Sequence, residues 1–313
     1  MPANAMMQRY RPILLSCLVF ALLLGTIFME PLEQTTHKPD ENGMYEQNGY
    51  WVQYRGDYNE QSVLAFCRKL ESLADTMLTS ENRRFYALIP DKSHYLPQEG
   101  WPVLDFSALQ QTVRQQLRQD FTEISLSDAL TLESYYKTDG HWRQETLQPV
   151  VNALGDAMDF SVDLSGWTAN TYDSFVGSYG TYISNLAPES LVYLTGSSIE
   201  SATVENLQTP DVHTVYDIDR LTSKQAYDVF LSGATPLVTI TNPNAATQRE
   251  LIIFRDSYAS SLAPLLCNVY QTITLIDIRY MISGLVPQYV TFTNQDVLFL
   301  YSSWVVNQSA MLR

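Results

Sequence analysis

The sequence feature that most constrains the fold is a run of four apolar residues, Leu251–Phe254, with no polar side chain on either face. A strand that is apolar on both faces has to be covered on both faces, as in the parallel sheets of α/β proteins. The run is followed by Arg255, Asp256 and Ser257, and the segment 257–266 is predicted to be helical. The pattern therefore predicts a strand, a turn and a helix, with Ser257 at the carboxyl end of a buried strand.

Helical and extended patterns alternate along most of the chain. Helices are predicted at 59–79, 105–119, 143–158 and 223–231, and a small hairpin is predicted between residues 42 and 54. Short strands are predicted at 84–90, 121–126, 191–194, 212–216, 237–241, 251–254, 273–276 and 297–301. This alternation predicts an α/β domain in which helices cover a parallel sheet. The loop- and strand-rich stretch from Gly166 to Thr241 is expected to be an insertion.

The first 42 residues differ in composition from the rest. Residues 1–11 carry two arginines and no acid, and residues 12–29 contain no charged side chain. A run of this length predicts a single transmembrane helix, with a cleaved signal peptide and a secreted protein as the alternative. We favour the anchor because no A-x-A cleavage site follows. Residues 1–11 are then cytoplasmic, 30–42 form a polar linker, and 43–313 form the exported domain.

The net charge and the cysteine spacing argue against a nucleic-acid partner and against a structural zinc site. The formal net charge of -15 argues against a nucleic-acid partner, because phosphate binding needs basic patches and none is visible. The three cysteines form no CxxC motif and no zinc-type spacing with histidine. We expect Cys67 and Cys267 to be two buried free thiols rather than a disulfide.

The motif TDGHW, residues 138–142, places a carboxylate two residues before a histidine. Such an Asp can fix the tautomer of the imidazole and stabilise the imidazolium, as in a catalytic triad. Asp-Gly is also a turn signal, so a structural histidine in a turn explains the motif equally well. A metal site built on Asp139 and His141 has no third ligand at a recognisable spacing, and no metal is predicted.

Ser257 is the candidate nucleophile. It follows a predicted central strand, where open α/β sheets place their sites, and it opens a helix with its own N–H free to stabilise an oxyanion. The alternative is an ordinary helix N-cap, for which Asp and Ser are both common. The turn by itself leaves both interpretations open.

Taken together and in order, these segments resemble the DHHW family of exported bacterial proteins. The stretches that carry the resemblance are NGMYEQNGYWVQY, FYALIPDKSHYLP, ESYYKTDGHW, SFVGSYGTY, the turn Arg255-Asp256-Ser257-Tyr258, and TLIDIRYM. The family belongs with the SGNH-hydrolase-like proteins, which include the alginate O-acetylation enzymes. The resemblance implies a three-layer parallel sheet flanked by helices, and no metal or organic cofactor.

The resemblance also implies site residues. Ser257 is implied as nucleophile, His141 as general base and Asp139 as the residue that orients His141. SGNH-type sites complete the oxyanion hole with a Gly amide and an Asn side chain, for which Gly233 and Asn242 are the candidates.

The chain departs from the family pattern at two positions. Gly140 stands where the family's name motif has His, and Arg255 stands where a small or lysine-like residue is usual. Arg255 is expected either to assist the oxyanion or to pair with Asp256, and Tyr258 is expected to line the pocket. Lys92 and His94 follow a predicted strand and could face the site, but we expect them to be solvated loop residues.

The implied function is an exported, membrane-anchored enzyme that passes an acyl group, expected to be acetyl, to a hydroxyl of a cell-envelope or extracellular polysaccharide, or to water as an esterase. Its partners are then the polysaccharide acceptor, an acyl donor supplied by a membrane acyltransferase, and the membrane through residues 12–29. The alternative is a catalytically inactive glycan-binding or assembly component of a polysaccharide export or modification system, for which Gly140 and Arg255 leave room.

Overall fold

The structure is a computed structural model that describes residues 37–313. The strands of this part of the chain are β1 (Met44–Gln47), β2 (Tyr50–Gln53), β3 (Arg83–Ile89), β4 (Thr122–Glu123), β5 (Thr168–Phe175), β6 (Glu189–Thr195), β7 (Thr203–Asn206), β8 (Leu237–Thr241), β9 (Glu250–Arg255), β10 (Thr272–Ile276) and β11 (Asp296–Ser302). Its α-helices are α1 (Glu60–Met77), α2 (Phe106–Gln116), α3 (Gln148–Met158), α4 (Ser197–Glu200), α5 (Ala259–Leu266) and α6 (Ser303–Asn307).

Seven strands form one sheet in the order β4-β3-β11-β9-β10-β8-β7. The strands from β4 to β10 in this order are parallel, whereas β8 and β7 pair antiparallel at one edge. The sheet is therefore mostly parallel, and the predicted parallel sheet is confirmed except at that edge. The segment 242–249 between β8 and β9 is too short for the crossover that two parallel strands require.

Helices cover both faces of the sheet because the central strands are apolar on both faces. In β9, Leu251 and Ile253 pack with α3 and α5, whereas Ile252 and Phe254 pack with α1, α2 and α6. Because successive side chains of a strand point to opposite faces, this one apolar run contributes to the core on each face of the sheet. The α/β architecture predicted from the run is confirmed.

The predicted insertion is only partly separate from the sheet. The pair β5–β6 forms its own antiparallel ribbon, but β7 and β8 extend the main sheet. The predicted strand at 212–216 is reduced to one bridge between Tyr216 and Phe230, and the predicted helix at 223–231 to a 3₁₀ turn, Ala226–Val229. Leu231 and Ser232 have positive φ angles of 55° and 57°, so this stretch is a folded-back loop whose apolar residues are buried without regular structure.

Within residues 37–313, no helix combines the length and apolar character that crossing a membrane requires. The predicted anchor at 12–29 lies outside the described residues, as does most of the predicted linker. The described chain from Lys38 to Arg313 forms one compact unit.

The two described cysteines are free thiols, as predicted. Cys67 lies on α1 in the core on one face of the sheet, and Cys267 follows α5 in the core on the other face. The sheet therefore separates the two sulfurs, and burial raises the pKa of each thiol to about 12.

We therefore expect neither thiol to react with a disulfide reagent while the protein is folded, because burial blocks access and suppresses the thiolate. In a Cys17→Ser background, two thiols per chain should become reactive once guanidinium unfolds the protein. Reaction of Cys67 or Cys267 in the absence of denaturant would contradict this placement.

Candidate active site

The turn after β9 frees the hydroxyl of Ser257. It is Asp256 that caps this turn: its carboxylate accepts hydrogen bonds from the N–H of Tyr258 at 3.1 Å and from the N–H of Ser302 at 2.7 Å. The second of these bonds ties the end of β9 to the end of β11. Because Asp256 performs the capping, the Ser257 side chain is available to another partner.

That partner is His141. The hydroxyl of Ser257 lies 2.7 Å from Nε2 of His141, and Nδ1 of His141 lies 2.5 Å from Oδ1 of Asp139. The structure thus brings together the three predicted residues, although His141 and Ser257 are 116 positions apart in the chain. A serine on one ring nitrogen and a carboxylate on the other is the arrangement in which imidazole can accept the serine proton.

Asp139 is a buried carboxylate with a full set of donors. Besides the ring of His141, the N–H of His141 donates to Oδ1 at 2.8 Å and the N–H of Ser178 donates to Oδ2 at 2.7 Å. Burial raises the pKa of Asp139, but the His141 ring and these hydrogen bonds outweigh burial and hold the pKa well below its usual range. Asp139 therefore stays ionised and holds the His141 ring in one orientation.

The loop 136–141 is fixed from two sides by charged side chains. The ammonium of Lys92 donates to the carbonyl oxygens of Tyr136 at 2.5 Å and Asp139 at 2.6 Å. On the other side, the carboxylate of Glu189 accepts from the N–H groups of Lys137 at 3.0 Å and Thr138 at 2.7 Å. The backbone around Asp139 is therefore held by two ionic side chains of opposite sign.

The expectation that Lys92 is a solvated loop residue is wrong. Lys92 is fully buried just beyond the end of β3, and burial lowers its pKa to about 8 although nearby carboxylates oppose the shift. His94 is half-buried, and its ring contacts the rings of Tyr95 and Phe106 edge to face. A charged residue after a strand is normally solvated, and only the tertiary fold supplies the two carbonyls that Lys92 needs.

Aromatic residues around His141 hold it next to the turn that contains Ser257. The indole N–H of Trp142 donates to the hydroxyl of Ser261 at 2.8 Å and to the carbonyl of Tyr258 at 3.1 Å. The ring of Tyr227 stacks on the His141 ring with centroids 4.0 Å apart and planes 9° apart. Trp142 thus joins the histidine loop to α5, and Tyr227 limits rotation of the imidazole.

Gly177 is needed where it stands because it lies directly against Asp139. A Cβ at position 177 would be 2.3 Å from the Cβ of Asp139 and 2.4 Å from the carbonyl oxygen of Thr138. Any side chain here would push Asp139 away from Ser178 and His141. Gly177 and Ser178 both belong to the stretch SFVGSYGTY. The sequence alone did not show that this stretch contacts Asp139.

Of the two predicted oxyanion donors, one lies away from Ser257 and the N–H of the other is already bonded. Asn242 lies at the far edge of the sheet, where it bonds to the carbonyl of Cys267 and the hydroxyl of Ser201. Gly233 lies near Ser257, but its N–H donates to the carbonyl of Phe230 at 3.0 Å. Because β8 runs antiparallel to β10, the carboxyl end of β8 lies beside the amino end of β10, at the opposite end of the sheet from Ser257. This position rules out the predicted role of Asn242.

Arg255 and Gly140 leave the geometry of the site intact. Arg255 is fully buried, and its guanidinium contacts the hydroxyl of Ser260 at 2.9 Å and the carbonyl of Asp256 rather than the carboxylate. It lines neither cavity beside Ser257, so neither predicted role fits. The carbonyl of Gly140 accepts from the Tyr258 hydroxyl at 2.5 Å, which fixes the loop without the usual His.

Two cavities meet at Ser257 and His141. Both cavities are lined by these two residues and by Ser178. The first, here called the Trp304 cavity, encloses about 170 Å³ and is lined by Leu104, Tyr258, Arg279 and Trp304 among others. The second, here called the Tyr280 cleft, encloses about 330 Å³ and is lined by Val176, Thr181, Lys224, Asp228 and Tyr280 among others. Across residues 37–313, no three His, Cys, Asp or Glu side chains are grouped as metal ligands would be.

No protein-family model matches the chain, and no curated protein is similar to it in sequence at a significant level. Solved structures do match. A DHHW family protein from Eubacterium siraeum has 20% identity and a TM-score of 0.69 over 85% of this chain and 92% of that chain. This chain therefore has the DHHW fold. The resemblance carried by the sequence motifs is confirmed at the level of the fold.

Two further solved structures are similar to this chain in fold. Bacillus cereus PatB1 has 20% identity and a TM-score of 0.62 over 84% of this chain and 96% of that chain. The O-acetyltransferase domain of Pseudomonas putida AlgJ has 11% identity and a TM-score of 0.50 over 85% of this chain and 92% of that chain. Each match thus spans most of both chains, although the sequence identity is low.

Replacement of Lys92 by Met is expected to lower the free energy of unfolding by about 2 kcal/mol, because two buried carbonyls lose their donor. The folded-state pKa of about 8 lies below the ordinary 10.5 of lysine. The unfolded state therefore binds more protons between these values, and wild-type stability rises with pH across this window.

The stability difference between wild type and Lys92→Met should accordingly widen from pH 8 to about 10.5 in urea unfolding. Lys137→Met, at an exposed position in the same loop, is the matched control and should change little. A pH-independent difference would show that the Lys92 proton is not linked to folding.

Proposed function

We propose that this protein is an exported serine-dependent O-acyltransferase, with acetyl as the acyl group and a cell-envelope or extracellular polysaccharide as the acceptor. The observation that carries the proposal is the 2.7 Å contact between the Ser257 hydroxyl and Nε2 of His141, with Asp139 on the other ring nitrogen. The fold shared with the AlgJ O-acetyltransferase domain supports the same reaction class.

In the first half-reaction, Nε2 of His141 takes the Ser257 proton as the serine oxygen bonds to the acyl carbon of the donor. The bond between that carbon and the leaving group then breaks, and His141 returns the proton to the leaving group. Ionised Asp139 stabilises the imidazolium that forms in between, which is why its low pKa matters.

In the second half-reaction, a hydroxyl of the acceptor attacks the acyl-serine and gives its proton to His141. The bond from the acyl carbon to the Ser257 oxygen breaks, and that oxygen takes the proton back. Water in place of the sugar hydroxyl makes the same enzyme an esterase, so slow hydrolysis of small acetyl esters is expected as a side activity.

The tetrahedral intermediates need a donor for their oxyanion. Among residues 37–313, no acceptor is bonded to the main-chain N–H of Ser257, which precedes the first turn of α5. We assign this amide as one oxyanion donor in place of the predicted Asn242 and Gly233.

The proposal places the domain outside the cytoplasm, held at the membrane by residues 12–29. The acyl donor is then delivered by a membrane acyltransferase, and the acceptor is a polysaccharide of the envelope. The alternative, a catalytically inactive glycan-binding or assembly component, would keep the fold without a reactive serine.

Ser257→Ala should abolish covalent labelling by phenylmethanesulfonyl fluoride and lower p-nitrophenyl acetate hydrolysis about 1000-fold or more, because the nucleophile is lost. Intact-mass spectrometry and initial rates measure the two effects. Ser303→Ala is the matched control, since Ser303 lines the same cavity and its hydroxyl has no hydrogen-bond partner in the described chain. Absence of labelling in the wild type would favour the inactive component.

Gly177→Ala should lower p-nitrophenyl acetate hydrolysis about 100-fold, because the new methyl group displaces Asp139 and misaligns His141. Gly166→Ala is the control, since a Cβ at position 166 meets no atom within 4 Å. Equal rates for the two variants would show that the contact between Gly177 and Asp139 does not position the catalytic histidine.

A further inference from the structure

The Tyr280 cleft differs in chemistry from the Trp304 cavity, although both open onto Ser257. The Trp304 cavity is the smaller and includes Leu104 and Trp304. Its two cations are already bonded within the protein, Arg55 to Gln53 and Arg279 to Asp277. The Tyr280 cleft is larger and presents hydroxyl, amine and carboxylate groups beside an exposed aromatic ring. A polar cleft with one flat ring suits a hydroxyl-rich cyclic ligand.

Asp228 is a polar group in this cleft whose side chain forms no hydrogen bond or ion pair within residues 37–313. Its carboxylate is half-buried, yet no donor of residues 37–313 lies within hydrogen-bond or ion-pair distance of it. Burial raises the pKa of this carboxyl to about 6. A ligand with hydroxyl groups could donate hydrogen bonds to this carboxylate, which receives none from the protein.

Tyr280 supplies the flat surface. It lies on the loop after β10, the strand beside β9, and 54% of its surface is exposed. Its N–H donates to the carbonyl of Asp277 at 3.1 Å, and the guanidinium of Arg279 lies 5.3 Å from its ring centroid. The backbone of Tyr280 is thus held in place, while much of the ring stays exposed at the cleft.

We propose that the Tyr280 cleft binds the sugar ring that receives the acyl group, with Tyr280 stacked on the ring and Asp228 accepting hydrogen bonds from its hydroxyls. This inference rests on the proposed acyltransferase function and adds the acceptor subsite to it. A ring bound there has a free hydroxyl beside both Ser257 and His141, because these residues line the same cleft. That hydroxyl attacks the acyl carbon and passes its proton to Nε2 of His141.

The test measures how an acetylated enzyme divides its acetyl group between two acceptors. p-Nitrophenyl acetate is the donor, and equal concentrations of ethanol and of a methyl pyranoside of glucose, mannose or N-acetylglucosamine are the acceptors. The wild type should acetylate at least one of the three pyranosides faster than ethanol. In Tyr280→Ala and in Asp228→Ala, the ratio of sugar to ethanol transfer should fall about tenfold, because ethanol uses neither group.

Tyr289→Ala is the matched control, since Tyr289 is exposed to the same 54% but does not line the cleft. A fall in the ratio for Tyr280→Ala and Asp228→Ala but not for Tyr289→Ala supports the subsite. A wild type that hydrolyses the ester but prefers no pyranoside to ethanol overturns the subsite alone, as does an equal ratio in Tyr280→Ala and Tyr289→Ala. A wild type that neither hydrolyses the ester nor forms the sulfonyl adduct overturns the proposed function, and the subsite with it.

Discussion

The site depends on keeping one buried carboxylate ionised. A charge removed from water is costly unless other groups replace its solvation, and Asp139 receives its donors from His141 and from Ser178 on a separate segment. The donors have to arrive at fixed positions, which explains why Lys92 and Glu189 hold the surrounding backbone and why Gly177 has no side chain. The orientation of His141 is thus a consequence of how the protein solvates Asp139.

Much of the fold could be predicted from the sequence because burial on both faces leaves a clear apolar pattern. The run 251–254 predicted β9 within a residue or two, and the helical spacing at 59–79 predicted α1 equally well. The direction of β8 and the loop at 212–231 could not be predicted in the same way. An apolar residue in a folded-back loop produces the same local pattern as one in a strand, and only the tertiary contacts distinguish them.

The candidate site was predictable in part for the same reason. Ser257, His141 and Asp139 lie in short motifs whose residue types carry the chemistry, and the fold brings them within hydrogen-bond distance. Lys92 was misjudged, because the two carbonyls that satisfy its ammonium come from a loop about 45 residues further along the chain. Main-chain donors such as the Ser178 amide leave no mark in a sequence, since every residue except proline has one.

Ser257 and His141, the two groups proposed to react, lie on parts of the fold that differ in stability. Ser257 follows the central strand β9, which pairs with a parallel strand on each side, whereas His141 lies on a loop outside the sheet that is held in part by side-chain contacts. Local opening of such a loop takes less free energy than melting the core of a sheet. We therefore expect heat or mild denaturant to separate His141 from Ser257 while the strands stay protected from hydrogen exchange, so that loss of this contact precedes global unfolding.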